Sequence, residues 1–178
     1  MALLDIVKIP DAVLRKVCAP VEEITPDMQK LFDDMLATMY DAPGIGLAAP
    51  QIGILKRIMV IDIVKEEDED DAPREKDPMV FVNPEIVWES EELNEYEEGC
   101  LSIPEVYENV TRPAQVTVAY LDHEGKQQRR DCDGLLATCV QHEIDHLNGV
   151  LFIDYISKLK RDRIVKKFAK AKKLAEAG

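Results

Sequence analysis

His142 and His146 are two of only three histidines in the 178-residue chain, and they stand four residues apart in Gln141-His142-Glu143-Ile144-Asp145-His146. On a helix that spacing projects both imidazoles from one face, about one turn apart, which is the geometry for gripping a single metal ion. Glu143 falls between them, beside such an ion without having to bind it. The surrounding residues favour a helix: Leu, Ala, Val and Gln tolerate one, and Gly149 can supply the left-handed residue that ends it. Two ordinary helical histidines would show the same spacing, so the weight of this H-E-x-x-H pattern depends on the rest of the chain.

The elements that must position these residues are those of one globular domain, residues 1–178, with 46% hydrophobic and 32% charged residues and enough length to bury a core without staples. No apolar run approaches the ~18 residues of a membrane span, and residues 1–5 lack the regions of a signal peptide. The expectation is a cytoplasmic protein with no membrane partner. Cys18, Cys100, Cys132 and Cys139 do not form the pattern of a disulfide framework, which points to thiol or thiolate chemistry instead. The net charge of −13 is unevenly spread: from residue 157 to 178 nine Lys and Arg face two acids, net +7, leaving the other 156 residues at −20.

Residues 3–20 alternate loosely and are broken by Pro10 and Pro20, which predicts an arm packed on the body with little regular structure. Thr25-Pro26-Asp27 supplies an N-cap, a first-turn proline and an early acid for an amphipathic helix of about four turns, whose Met28, Met35 and Met39 stripe reads as core. Pro43-Gly44 stops it. In residues 44–53 two glycines permit close backbone approach, but no Lys-Ser/Thr follows, so a phosphate loop is not expected. Gln51 is the one side chain there able to donate to a reacting oxygen. Residues 57–64 read as a buried strand. The acidic run at 65–78 reads as a solvated, mobile hairpin loop without the spacing of an EF-hand. Strand material follows at 79–83 and 85–89, interrupted by Pro84, with a further acidic segment at 91–97. Residues 116–122 and 126–132 form a hairpin with His123 at its tip, where no metal role is expected. Residues 150–154 read as a short apolar strand, and about 157–175 as a basic amphipathic helix. The fold class is α+β: antiparallel strands packed around the central histidine-bearing helix, with a helix near each end.

Three stretches then acquire a joint meaning: G-x-G-L-A-A-x-Q at residues 44–51, E-G-C-L-S at 98–102 and Q-H-E-x-D-H at 141–146. Together and in this order they resemble the signature motifs of the peptide deformylase family, which removes the formyl group from the initiator methionine of new bacterial proteins. The resemblance implies that Cys100, His142 and His146 bind one ion, usually ferrous iron, with zinc, nickel or cobalt able to substitute. Three protein ligands with a fourth position left for water mark a catalytic site, and a thiolate with two imidazoles argues against magnesium or calcium. Glu143 is implied as the general acid/base, and the Gln51 side-chain amide and Leu101 backbone N–H as donors to the developing oxyanion. Ile45 and Gly46 would lay backbone amide groups alongside the peptide. Cys139 and Leu135, one and two turns before His142, line a slot for an unbranched thioether or are plain core.

The implied partners are formylated nascent peptides and the ribosome, reached through the basic C-terminal helix; DNA and membranes are not expected. A charge of +7 in 22 residues suits RNA, while a solvated helix packed on the body by Leu159, Val165 and Phe168 is the alternative. A metzincin protease would need a third histidine where Phe152 stands and a glutamate near Lys166. A noncatalytic metal module would need a fourth protein ligand, for which only Cys132 is spare. Val106-Tyr107 stand where some family members carry an arginine that meets the far end of the peptide.

Overall fold

The computed structural model describes residues 2–63 and 76–177. Most of the acidic loop expected at 65–78 therefore lies outside the described residues. Helix α1 (Pro26–Asp41) begins as the sequence predicts, with the Thr25 hydroxyl accepting from the Met28 N–H and Pro26 in the first turn. Strands β1 (Gly46–Ala48), β2 (Ile58–Ile61), β3 (Met79–Glu89), β4 (Leu93–Cys100), β5 (Ile103–Pro113), β6 (Val116–Leu121) and β7 (Gln127–Cys132) follow, then helices α2 (Gly134–Leu147) and α3 (Lys158–Ala177). Five strands build an antiparallel sheet in the order β1-β2-β3-β6-β7, and β4 with β5 forms a separate ribbon.

Strand β2 shows why the sheet is a middle layer. Ile58 and Val60 pack with Met28, Phe32, Met35 and Met39 of α1, whereas Met59 and Ile61 pack with Val140, Ile144 and Leu147 of α2. Successive side chains of a strand point to opposite faces, so a strand apolar at every position is covered on both. The methionine stripe is core, as its spacing suggests. A third cluster joins the N-terminal arm (Ile9, Leu14) to Ile103 and Val110 of β5, to residues 151–153 and to Ile164, Val165 and Phe168 of α3. Leu159 takes no part in that packing and is exposed.

Four local expectations need correction. Strand β2 ends at Ile61, because the buried Asp62 carboxylate turns instead to the Tyr40 hydroxyl and the Asp77 N–H. Strand β3 runs through Pro84: the register shifts between Val82 and Glu85, and this bulge accommodates a residue that cannot donate to a ladder. At the bulge Asn83 adopts φ +50° while its side chain exchanges two hydrogen bonds of 2.8 Å with the Val21 backbone. Residues 103–113, to which the sequence assigns no strand, form β5 by pairing with β4 from Leu93↔Pro113 to Cys100↔Ile103. Residues 150–154 are not a strand. They lead into a 3-10 turn, Phe152–Tyr155, held by the Leu151 N–H donating to Asp154 at 3.0 Å.

The end of α2 is closed by backbone geometry. Gly149 sits at φ +74°, its N–H donates to the His146 carbonyl at 3.2 Å, and the Val150 N–H donates to the Asp145 carbonyl at 2.9 Å. This doubled bond satisfies the last carbonyls of the helix that carries both histidines. A Cβ at residue 149 would lie 2.5 Å from the Arg15 carbonyl oxygen. Gly149→Ala is therefore expected to destabilise the fold by about 2 kcal/mol or more, from left-handed strain and the clash together. Urea denaturation measures it, and a loss below about 0.5 kcal/mol would contradict the account.

Candidate metal centre and active site

Helix α2 is buried along nearly its whole inner length, so His142 and His146 are fixed by the packing of their neighbours rather than by loop structure. Their rings stand 5.0 Å apart at 69°. The ribbon delivers the third donor from the other side. Its register slips between Glu98 and Cys100, and such a bulge re-aims the side chain that follows it. Cys100 Sγ lies 3.3 Å from His146 Nε2, and the donor atoms of Cys100, His142 and His146 are all within 4.8 Å of one another. Donors bound at ~2.0–2.3 Å to one tetrahedral ion stand ~3.3–3.8 Å apart, so a thiolate and two imidazoles at this spacing fit a single ion after small adjustments.

Behind the donors lies a network that the sequence reading misses. The Glu98 carboxylate meets His142 Nδ1 at 3.0 Å, which leaves Nε2 free to face an ion. Arg112 grips the same carboxylate through Nε at 2.7 Å and Nη2 at 2.9 Å, and its Nη1 donates to Asp145 at 2.8 Å. The Tyr155 hydroxyl also donates to Asp145, and the Arg112 guanidinium lies 4.7 Å over the Tyr155 ring. Burial by itself pushes the Glu98 carboxyl up, but the hydrogen bonds from His142 and Arg112 outweigh it and hold that carboxyl below its ordinary range. Burial, with the charge of a protonated His142 adding to it, holds His146 well below the ordinary imidazole range. Glu98 and Asp145 stand inside the motifs that carry the resemblance, and their acidic character was the available signal. Arg112 lies outside all three and meets Glu98 only once β5 has formed.

Glu143 is 4% exposed, its Oε1 is 4.0 Å from His142 Nε2 and its Oε2 has no hydrogen-bond partner. Burial pushes its carboxyl up to about 7, and the nearby Glu98 charge adds to the effect. Gln51 is held by its own ends: Oε1 accepts from the Ala48 N–H at 2.9 Å, while Nε2 donates to Ser102 Oγ at 3.1 Å and points at Cys100 Sγ from 3.5 Å. Its amide N–H edge therefore faces the donors. Gly46 is required by contact, since a Cβ there would come within 2.8 Å of Glu143 Oε1 and 2.9 Å of Cys139 Sγ. Phe152, at the place of a third metzincin histidine, stacks on the His142 ring at 5.9 Å instead.

One cavity of about 1010 Å³ is lined by Ile45, Gly46, Gln51, Cys100, Leu101, Leu135, Cys139, His142 and Glu143. Of the residues singled out in the sequence only His146 is absent from the lining; it is 1% exposed and sits behind Cys100. Leu135 is partly open to solvent and Cys139 is buried, so the two form the outer and inner parts of one wall. Tyr107 packs across Gly99, where an added Cβ would meet its ring at 2.7 Å, and it too lines the cavity.

Comparison with known proteins agrees with this geometry. Residues 3–162 match the polypeptide deformylase family. The peptide deformylase of Rhizobium meliloti (strain 1021) is 60% identical, the alignment covering 97% of this chain and 96% of that protein. Among solved structures, the peptide deformylase of Ehrlichia chaffeensis superposes with a TM-score of 0.89 at 42% identity, covering 98% of this chain and 99% of that one. The same enzyme in complex with actinonin gives a TM-score of 0.88 at 43% identity, over 96% of this chain and 98% of that one. With likeness of sequence and of fold over almost its whole length, the chain belongs to the polypeptide deformylase family and is a metal-dependent hydrolase that takes the formyl group from nascent peptides.

Proposed function

We propose that Cys100, His142 and His146 hold one divalent ion, ferrous iron in the cell with zinc, nickel or cobalt able to replace it, and that Glu143 carries the proton of the hydrolysis. The observation that carries this reading is the buried, unpartnered Glu143 Oε2 beside a three-donor cluster in the wall of the cavity. The donor chemistry suits such an ion: one soft thiolate and two borderline imidazoles. When bound, the ion contributes Lewis acidity, which acidifies water and polarises the formyl oxygen.

The remaining work belongs to the chain. Glu143 accepts the proton of the attacking water and passes it to the departing amine, the two halves of a general acid/base role. Gln51 Nε2 and the Leu101 backbone N–H donate to the oxygen that becomes negative, and the Ala48 and Ser102 contacts hold the Gln51 amide ready for it. Gly46 opens β1, the outermost strand of the sheet, and Ile45 directly precedes it. A peptide can add there through backbone hydrogen bonds. Cys139 and Leu135 flank the methionine side chain. Glu98, clamped by Arg112, holds the His142 ring and raises its basicity as a ligand.

Helix α3 has no buried residue and presents most of the basic tail to solvent, which supports docking on ribosomal RNA in the cytoplasm. Among the described residues, no helix is long and apolar enough to cross a membrane.

Formate release from a formyl-methionyl tripeptide, by protein purified without oxygen in the presence of ferrous iron, tests the central reading. Glu143→Ala is expected to lose on the order of a hundredfold to ten-thousandfold in kcat while keeping its metal; activity within about tenfold of wild type would remove Glu143 from its role. Glu98→Gln is expected to weaken metal affinity about 10–100-fold in a competition titration. Arg112→Met strands the buried Glu98 charge and should cost about 3–5 kcal/mol in a urea melt. Co-sedimentation with ribosomes should fall steeply between about 50 and 200 mM salt, and a salt-independent result would count against α3 as the contact.

A further inference from the structure

The N-terminal arm is stitched to the body at four points of its backbone. The Ala2 N–H donates to Asp34 Oδ1 at 2.8 Å and the Leu4 N–H to Thr38 Oγ1 at 2.9 Å. Further along, the Val7 N–H donates to the Gln51 carbonyl at 2.7 Å and the Ile9 N–H to the Ser102 carbonyl at 3.1 Å. Thr38 also donates to the Asp34 carbonyl, so the first two latches share one turn of α1. Asp34 and Thr38 are 7% and 4% exposed. Polar groups buried this deeply are kept where they have partners, and here those partners include the arm.

Between the latches, Leu3, Asp5 and Ile6 form part of the wall of the same cavity that contains His142 and Glu143. At about 1010 Å³ the cavity reaches the top of the ~300–1,000 Å³ range of sites for drug-sized ligands, more than one formylated methionine fills. Leu3, although large and apolar, remains 60% exposed, so its surface is available to whatever occupies that end. The last two stitches end on Gln51 and Ser102, which places the arm's inner end beside the donors.

We propose that the N-terminal arm is the outer wall of the peptide's path, that Leu3 and Ile6 receive an apolar side chain of the second or third residue, and that Asp34 and Thr38 are positioning residues that set the arm's place. This rests on the reading of the cavity as the peptide's path. The arm acts beyond the methionine, so its loss is felt by a peptide and not by a single formylated residue.

The test compares two substrates, formyl-Met-Leu-Phe and formyl-methionine amide, on the metal-loaded full chain. Thr38→Val removes the acceptor of the Leu4 N–H with little change of shape, and Asp34→Ala removes that of the Ala2 N–H. Each should raise KM for the tripeptide about five- to tenfold, the worth of an ordinary hydrogen bond or slightly more, with KM for the amide unchanged. Thr38→Ser should restore the wild-type value. Leu3→Ser with Ile6→Ser, at the arm's surface and outside the latches, should show the same split with an unchanged melting temperature. An equal rise in both KM values, or none for the tripeptide, overturns the arm's role. Absence of formate from wild-type protein with either substrate would overturn the reading of the cavity itself.

Discussion

A single buried carboxylate, that of Glu98, joins the two halves of the site. It comes from the ribbon, it holds an imidazole of α2, and it is held in turn by the fork of Arg112. Taking such charges from water is costly, and the cost is offset only where nearly every lone pair and N–H finds a partner. Here the Arg112 guanidinium spans two carboxylates and lies over an aromatic face, so few of its donors are stranded. The result is one rigid unit made of β4, β5, α2 and the turn at Tyr155. Cys100 and His142 keep their mutual placement because Glu98 cannot move without unpairing a buried charge.

Around that unit the sheet acts as a plate with a helix on each face. Met59 and Ile61 support α2 from beneath, and Ile58 and Val60 bind the same strand to α1. The site-bearing helix is thus fixed by interlocked side chains at close-packed density, which tolerate little displacement. That suits the proposed chemistry, in which Glu143, Gln51 and the donors would each have to be within a few tenths of an ångström of a working position. The stretch from Gly44 to Gln51 follows the same logic: Gly46 lets the edge strand approach Glu143 and Cys139 more closely than any other residue could.

Much of the site was legible because its signals are local. Two histidines four apart with a glutamate between them are a short pattern whose geometry follows from the helical repeat, whereas Cys100, at the end of a strand, was picked out by the resemblance of its motif. The capped start of α1 and its methionine stripe were legible for the same reason, as was the hairpin of β6 and β7, whose turn is close in sequence. Residues 103–113 were not, since Glu105, Glu108 and Arg112 disguise the strand and only pairing with β4 reveals it. Pro84 looked like an interruption because a proline breaks a ladder, yet a bulge removes the need for its missing N–H. Residues 150–154 are apolar enough for a strand, but the Asp154 side chain caps a turn there and pairs with Arg15.

The sequence by itself determined the candidate groups: His142, His146 and Glu143 through their spacing on one helix, and Cys100 and Gln51 through the resemblance of the motifs around them. Only the tertiary structure decided what orients them. Glu98 meets His142 across 44 positions and Arg112 across 14, the arm reaches Asp34 across 32, and contacts at such separations exist only after strand pairing and layer packing have brought the chain together.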